Sequence, residues 1–216
     1  MQKLITTVMG DNGTRFMDMC FESVLDSDKI IFCWGEEDKN TLIQFNKWKE
    51  KYPDKFELIS LKYDQNNKEQ NGITRNFYLD YLKPNYQDAW NLSLDLDEVV
   101  EDLDKIKEFI QTAKDGMYSV KMRHFMYSFG YEDATTDKHF VPHRLFKIHS
   151  NLFYPEVEHP VLSYKDLTDT CGYGYGLTDC TTLWHLAHVH HCFNIKNRFD
   201  KNMKHSNMHS EEFLND

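Results

Sequence analysis

The 216-residue chain has no two cysteines at C-x-x-C spacing, which removes a zinc ribbon and a dithiol redox centre from consideration. Its five cysteines, Cys20, Cys33, Cys171, Cys180 and Cys192, cannot all pair within one chain. Cys20 and Cys33 fall inside apolar runs and read as small core residues. No uninterrupted apolar run approaches the ~20 residues of a membrane span. No signal-peptide pattern precedes the first strand-like run, which MQKLITTVMG enters at once. A cytoplasmic protein with no integral membrane segment is therefore expected. Positive charge is scarce as well: 25 Lys and Arg stand against 35 Asp and Glu, a net charge of −10. That balance repels nucleic acid and anionic membranes as main partners. No repeat and no low-complexity linker divides the chain, so it reads as a single domain over 1–216.

What the sequence does hold is alternation of strand and helix patterns. Hydrophobic residues make up 40% of the chain, enough for a sizeable core. Lys3 to Met9 is a β-branched apolar run ending in the loop signal Gly10-Asp11-Asn12-Gly13. Met17, Cys20, Phe21 and Val24 then fall on one helical face. Lys29 to Trp34 is a second buried strand, followed by a helix with Leu42, Phe45 and Trp48 on one side. Phe56 to Leu61 is a third strand, and a helix spans about Ile73 to Leu82. Ala89 to Asp95 is a fourth strand. The next helix has Leu103, Ile106, Ile110 and Ala113 in register, acidic Asp102 and Asp104 at its start and Gly116 as its stop signal. Met117 to Phe125 closes the regular part. Phe140–Ile148 and Leu152–Leu162 read as strands, Gly172–Gly176 as a loop, and Asn194–Lys204 as a helix.

Four rounds of strand then helix predict an α/β fold: a mainly parallel sheet with helices on both faces and a smaller, irregular β-rich C-terminal part. Such sheets bind ligands at the carboxyl ends of their strands. There the sequence places Trp90-Asn-Leu-Ser-Leu-Asp-Leu-Asp-Glu98. Strand alternation puts Asp95 and Asp97 on one side. Adjacent carboxylates repel unless a cation lies between them, so the pair suits Mn²⁺ or Mg²⁺ shared with a diphosphate. The plainer reading is an acidic loop capping the next helix. Gly72-Ile-Thr-Arg-Asn76 opens a helix just before this strand, where an N-terminus and Arg75 favour an anion; an ordinary helix start is the alternative.

A strand and helix, then G-x-x-R-N, then a strand ending in D-x-D-E resembles glycosyltransferases of the GT-A (Rossmann-like) fold, nearest the family 2 type. The resemblance runs in order through residues 3 to 125. It continues more loosely through Pro142-His-Arg-Leu-Phe146, Tyr154-Pro-Glu-Val-Glu-His159 and Trp184-His-Leu-Ala-His-Val189. It implies a nucleotide-diphosphate sugar donor, held mainly by residues 1–100, and a saccharide or other hydroxyl acceptor on residues 101–216. Asp97 would bind the metal, with Asp95 and Leu96 against the ribose or sugar and Arg75 on the diphosphate side. The first loop departs from the family's Tyr-Asn-Glu type, and the second from D-x-G-S-x-D-x-T. Asp11, Glu36 and Asp38 supply carboxylates there for base or ribose. The family's V-H-E appears as Glu158-His159-Pro160, with the carboxylate first.

Eleven histidines are many for this length, and His185, His188, His190 and His191 cluster. By the resemblance, a late histidine completes the cation's shell: His185 by its W-H-L context, with His188 and His190 as alternatives. Packing or surface roles are the rival explanation. Tyr173 and Tyr175 between glycines suit stacking on a sugar or a plain surface loop. The expected activity is an inverting, hexosyltransferase-like transfer with Glu158 as base and Asp133 in reserve. The rival readings are a nucleotidyltransferase acting on sugar phosphates, which would want a more basic first loop, and a non-catalytic carbohydrate-binding protein.

Overall fold

A computed structural model describes residues 1–11, 14–64, 66–125, 143–157, 160–165 and 174–186. In chain order the elements are β1 (Leu4–Gly10), α1 (Thr14–Ser23), β2 (Lys29–Trp34), α2 (Lys39–Lys51), β3 (Phe56–Ser60), α3 (Gln70–Asn85) and β4 (Trp90–Asp95). Then follow β5 (Glu98–Val100), α4 (Leu103–Thr112), β6 (Gly116–His124), β7 (His143–Lys147), β8 (Leu152–Phe153), β9 (Ser163–Tyr164) and β10 (Gly174–His185). The main sheet runs β3-β2-β1-β4-β7-β6-β10-β5, and β8 pairs with β9 apart from it.

β1 to β4 are mutually parallel, as alternating strand and helix demand. β7 is antiparallel to both β4 and β6, and so fills the slot between two strands that point the same way. β10 lies parallel to β6 and antiparallel to the short β5. The carboxyl ends of β4, β6 and β10 and the first residues of β5 and β7 therefore meet along one edge. That edge carries the site.

Side-chain alternation sorts the core into two layers. Leu4 and Val8 of β1 pack with Met17 and Phe21 of α1, Phe45 and Trp48 of α2, and Ile106 and Ile110 of α4. Phe21 is the hub of that layer, its ring centroid 5.0 Å from Phe56 and 5.8 Å from both Phe32 and Trp48. Ile5, Ile31 and Cys33 point the other way, onto Tyr78, Leu79 and Leu82 of α3 and onto Leu152, Tyr154 and Leu162. Cys20 and Cys33 are buried and unbridged, as their apolar settings predict.

Four expectations are corrected. The strand expected over Leu152–Leu162 shrinks to Leu152–Phe153, because the backbone of Tyr154 bonds a side chain of α3 instead of a neighbouring strand. Gly174 begins β10, so the glycine-rich stretch is not wholly loop. α4 ends at Thr112 with Ala113 as its C-cap, and Gly116 starts β6 where a helix stop was expected. α3 starts at Gln70, ahead of its first apolar residue, with Gln70 buried and its amide donating to Thr74 Oγ1 at 3.2 Å. The helix expected at 194–204 lies outside the described residues. No helix among the described residues is long and apolar enough to cross a membrane.

Candidate functional site

β4 delivers Asp95 to the sheet edge on the α3 side, where two arginines take both of its oxygens. Arg75 Nη2 lies 2.8 Å from Oδ1, and Arg144 Nη2 lies 2.7 Å from Oδ2. The same Arg144 nitrogen donates to Glu98 Oε1. The second Glu98 oxygen accepts the backbone N–H of Asp95 at 2.9 Å. Glu98 is fully buried and the Arg144 side chain only 7% exposed. Two guanidinium groups and two carboxylates thus form one low-dielectric cluster drawn from α3, β4, β5 and β7.

The two acids respond in opposite senses. Burial pushes Glu98 up to about 8, with Asp95 and Asp97 adding to the rise against the pull of Arg144. For Asp95 burial also works upward, but Arg144 and Arg75 outweigh it and hold the carboxyl well below the usual range. Asp95 is the ionised member of the pair.

Asp97 is placed differently from the sequence expectation. β4 ends at Asp95, and Leu96 and Asp97 form the turn into β5, so strand alternation stops before Asp97. Gly10 makes that turn possible: a Cβ there would stand 2.6 Å from Leu96 Cβ. The Leu96 side chain, expected at the sugar, is 3% exposed and packs in the α1-side core. Asp97 Oδ2 faces His185 Nε2 across 4.0 Å, with both side chains partly open to solvent. His185 sits at the end of β10, opposite Glu98 in register. Burial lowers its pKa, which Asp95 partly offsets. Behind it His124, the last residue of β6, brings its Nδ1 to 2.9 Å from His185 Nδ1.

The G-x-x-R-N segment owes its form to a chain segment eighty residues away. A Cβ on Gly72 would lie 2.3 Å from the Pro155 carbonyl oxygen and 2.7 Å from Glu156 Cα. The Asn76 side chain donates to Tyr154 O and accepts from Tyr154 N, both at 2.8 Å. The Arg75 guanidinium lies 5.8 Å from the Tyr154 ring centre. Tyr78 hydroxyl links Tyr154 hydroxyl and Ser93 Oγ at 2.9 Å each. Gly72 therefore admits the 154–156 strap, Asn76 clips it, and Arg75 reaches past it to Asp95 from the second turn of α3. Replacing an exposed helical glycine by alanine ordinarily stabilises by ~1 kcal/mol. Here Gly72→Ala is expected to destabilise instead, by about 1–3 kcal/mol from overpacking, read as a lowered urea midpoint with far-UV circular dichroism unchanged.

The first two loops knit to each other. Asp11 accepts from Trp34 Nε1 at 3.2 Å and from the backbone N–H groups of Glu37 and Asp38 at 2.6 and 3.0 Å. Asp38 caps α2 through Asn40 N and Thr41 N, and its hydrogen bond from Thr41 Oγ1 is the main cause of its lowered pKa. Glu36 accepts from Ser60 Oγ and holds a left-handed φ of 65°. Such a backbone in a non-glycine residue marks a constrained loop.

The edge thus brings together Asp95, Asp97, Arg75 and His185 of the expected set. Asp11, Glu36 and Asp38 gather at the neighbouring loops. Glu158, Asp133, His188 and His190 lie outside the described residues. Arg144 and His124 were not singled out as site residues from the sequence. Arg144 had only the loose R-x-F resemblance to mark it, and His124 had no local signal at all. Among the described residues no three His, Cys, Asp or Glu side chains converge as a metal cage. Asp97 and His185 are two facing donors, and the arginines occupy Asp95.

No family model and no curated protein sequence matches the chain. Among solved structures it is similar to a mannosyltransferase from Pyrobaculum calidifontis in complex with GDP-Man and Mn²⁺, at 11% identity and a TM-score of 0.55. That match covers 85% of this chain and 56% of the other, so this chain spans little more than half of the mannosyltransferase. Weaker matches are a glucose-1-phosphate thymidylyltransferase assignment from Bacillus anthracis (10% identity, TM-score 0.45, 86% of this chain and 90% of that one) and 4-diphosphocytidyl-2C-methyl-D-erythritol synthase (11%, 0.43, 83% and 89%). At such identities the likeness speaks to fold alone: the chain has the GT-A type α/β fold.

Proposed function

We propose that this GT-A fold works as a metal-dependent glycosyltransferase, moving a hexose-like sugar from a nucleotide-diphosphate donor to an acceptor hydroxyl with inversion. The observation that supports it most is the Asp97–His185 pair, two partly open donors facing each other across 4.0 Å at the carboxyl edge of the sheet. A carboxylate oxygen and an imidazole nitrogen suit Mn²⁺, and also Mg²⁺ with more water in its shell. With two protein donors among the described residues, further positions remain for diphosphate oxygens and water. When bound, the cation would neutralise charge on the departing nucleoside diphosphate.

The chain's own groups have separate tasks in this reading. Asp97 and His185 hold the cation. Arg75 and Arg144 hold Asp95 ionised and fixed beside the sugar end of the donor, and Arg75 adds positive potential on the diphosphate side. Asp11 and Asp38 shape the loops that meet base and ribose, with Glu36 at their exposed tip. Residues 1–100 hold the donor and 101–216 the acceptor. Glu158, with Asp133 in reserve, takes the acceptor proton. The mannosyltransferase complex with GDP-Man and Mn²⁺ is consistent with this reading.

The test is a thermal-shift screen of nucleotide-diphosphate sugars with and without Mn²⁺, followed by donor hydrolysis and transfer assays. At least one donor should raise the melting temperature only when Mn²⁺ is present, and should be turned over only then. Release of pyrophosphate from a nucleoside triphosphate and a sugar phosphate would replace this reading with nucleotidyl transfer. Saccharide binding without any donor response would replace it with a binding protein.

A further inference from the structure

We infer that His124 is a positioning residue that sets the tautomer of His185, and so prepares Nε2 of His185 to bind a divalent cation. The inference rests on the reading of Asp97 and His185 as the metal pair. Its physical basis is the 2.9 Å separation between the two Nδ1 atoms. A contact of that length between ring nitrogens holds one proton: two N–H groups would collide, and two lone pairs would repel. One ring therefore donates from Nδ1 and the other accepts there.

The two arrangements have different consequences at the sheet edge. If His185 donates from Nδ1, its Nε2 carries a lone pair aimed toward Asp97, which is the form a cation needs. If His124 donates, His185 bears its proton on Nε2 and turns an N–H toward the Asp97 carboxylate. The Nε2 to Oδ2 gap of 4.0 Å is too long for that proton to gain a hydrogen bond from Asp97. A cation on Nε2 of His185 requires the first arrangement, in which His124 bears its own proton on its buried Nε2.

The frame around the two rings is rigid. His124 and His185 are paired in register as the last residues of β6 and β10. Their rings meet edge to face, with centroids 4.8 Å apart and planes at 70°. His124 is buried, and the backbone of the next residue, Phe125, donates to His185 O at 3.2 Å. Turning either ring about its side-chain bonds breaks the Nδ1–Nδ1 contact. Metal-binding histidines elsewhere are oriented in this way by a partner on the second ring nitrogen, and loss of that partner costs about 10- to 100-fold in metal affinity.

The experiment uses the full chain and Mn²⁺ alone, with free Mn²⁺ counted by electron paramagnetic resonance. His124→Phe keeps a ring of similar size but removes the acceptor, and should weaken Mn²⁺ binding about 10- to 100-fold. His124→Asn places an amide oxygen near the position of Nδ1 and should restore most of the loss. Long-range ¹⁵N–¹H correlation on the metal-free protein should show His185 protonated on Nδ1. Unchanged affinity in His124→Phe, or His185 protonated on Nε2, overturns the inference while the metal reading stands. If His185→Ala and Asp97→Asn also bind Mn²⁺ as the unaltered chain does, the metal reading itself falls and takes the inference with it. A His124→Asn variant as weak as His124→Phe, with both folded by circular dichroism, assigns His124 to packing and likewise overturns it.

Discussion

Arg144→Met should lower the free energy of unfolding by about 3–5 kcal/mol, the usual cost of removing one partner from a buried ionic network. The methionine roughly matches the aliphatic stem, so the loss is electrostatic. Asp95 keeps Arg75, but Glu98, once ionised, loses the Arg144 guanidinium while remaining fully buried. The backbone N–H of Asp95 still donates to Glu98, which limits the damage to the charge imbalance. Urea denaturation at about pH 9, above the raised pKa of Glu98 of about 8 and so with its carboxyl ionised, measures the effect. The double variant Arg144→Met with Glu98→Gln tests the cause, because a neutral amide no longer needs the guanidinium. It should recover a large part of the loss. If the single variant changes stability by under 1 kcal/mol, the cluster is less dry than its geometry indicates.

Asp97→Asn should reduce Mn²⁺-dependent donor turnover by 10²-fold or more, in line with the loss of one preorganised group that stabilises developing charge. The fold should not notice. Asp97 lies in a turn, partly open to solvent and outside the arginine cluster. Its unfolding midpoint should therefore match that of the unaltered chain, whereas Asp95→Asn should lose stability as well, since Asp95 neutralises two arginines. Turnover and unfolding measured on the two variants side by side separate the roles. Full activity in Asp97→Asn at ordinary Mn²⁺ concentrations would remove Asp97 from the metal. The D-x-D spacing would then be a matter of chain geometry alone.

The contrast between these two aspartates shows what the sequence could and could not reveal. Periodicity located the strands and helices of the first half closely, with Lys29–Trp34 matching β2 at both ends, because burial on both sheet faces imposes a pattern on neighbouring residues. The carboxylates at the end of β4 were visible for the same reason: ionisable groups interrupt an apolar strand only where it reaches the edge. That Arg75 and Arg144 would both hold Asp95 was not visible. That pairing depends on Arg144, 49 residues away in sequence, and no local pattern encodes that distance. Gly72 and Asn76 are a similar case. They read as a helix start, yet their side chains, or the lack of one, are shaped by Tyr154 to Glu156. His124 lies 61 residues from its partner, and a lone histidine at a strand end carries no signal of what it faces.

The position of β7 has a consequence for the order in which the protein forms. β7 is inserted late in sequence between β4 and β6, so the first four parallel strands can associate while β4 is still an open edge. An open edge exposes unpaired backbone groups and invites pairing with another chain. Closing it requires a strand that follows about fifty residues later, and such non-local pairing is slow because loop entropy must be overcome first. Arg144 arrives with that same strand. The step that seals the sheet is therefore also the step that brings a second arginine to Asp95 and pairs Glu98 with Arg144, and an emerging chain that has not reached β7 holds half a sheet and no finished site.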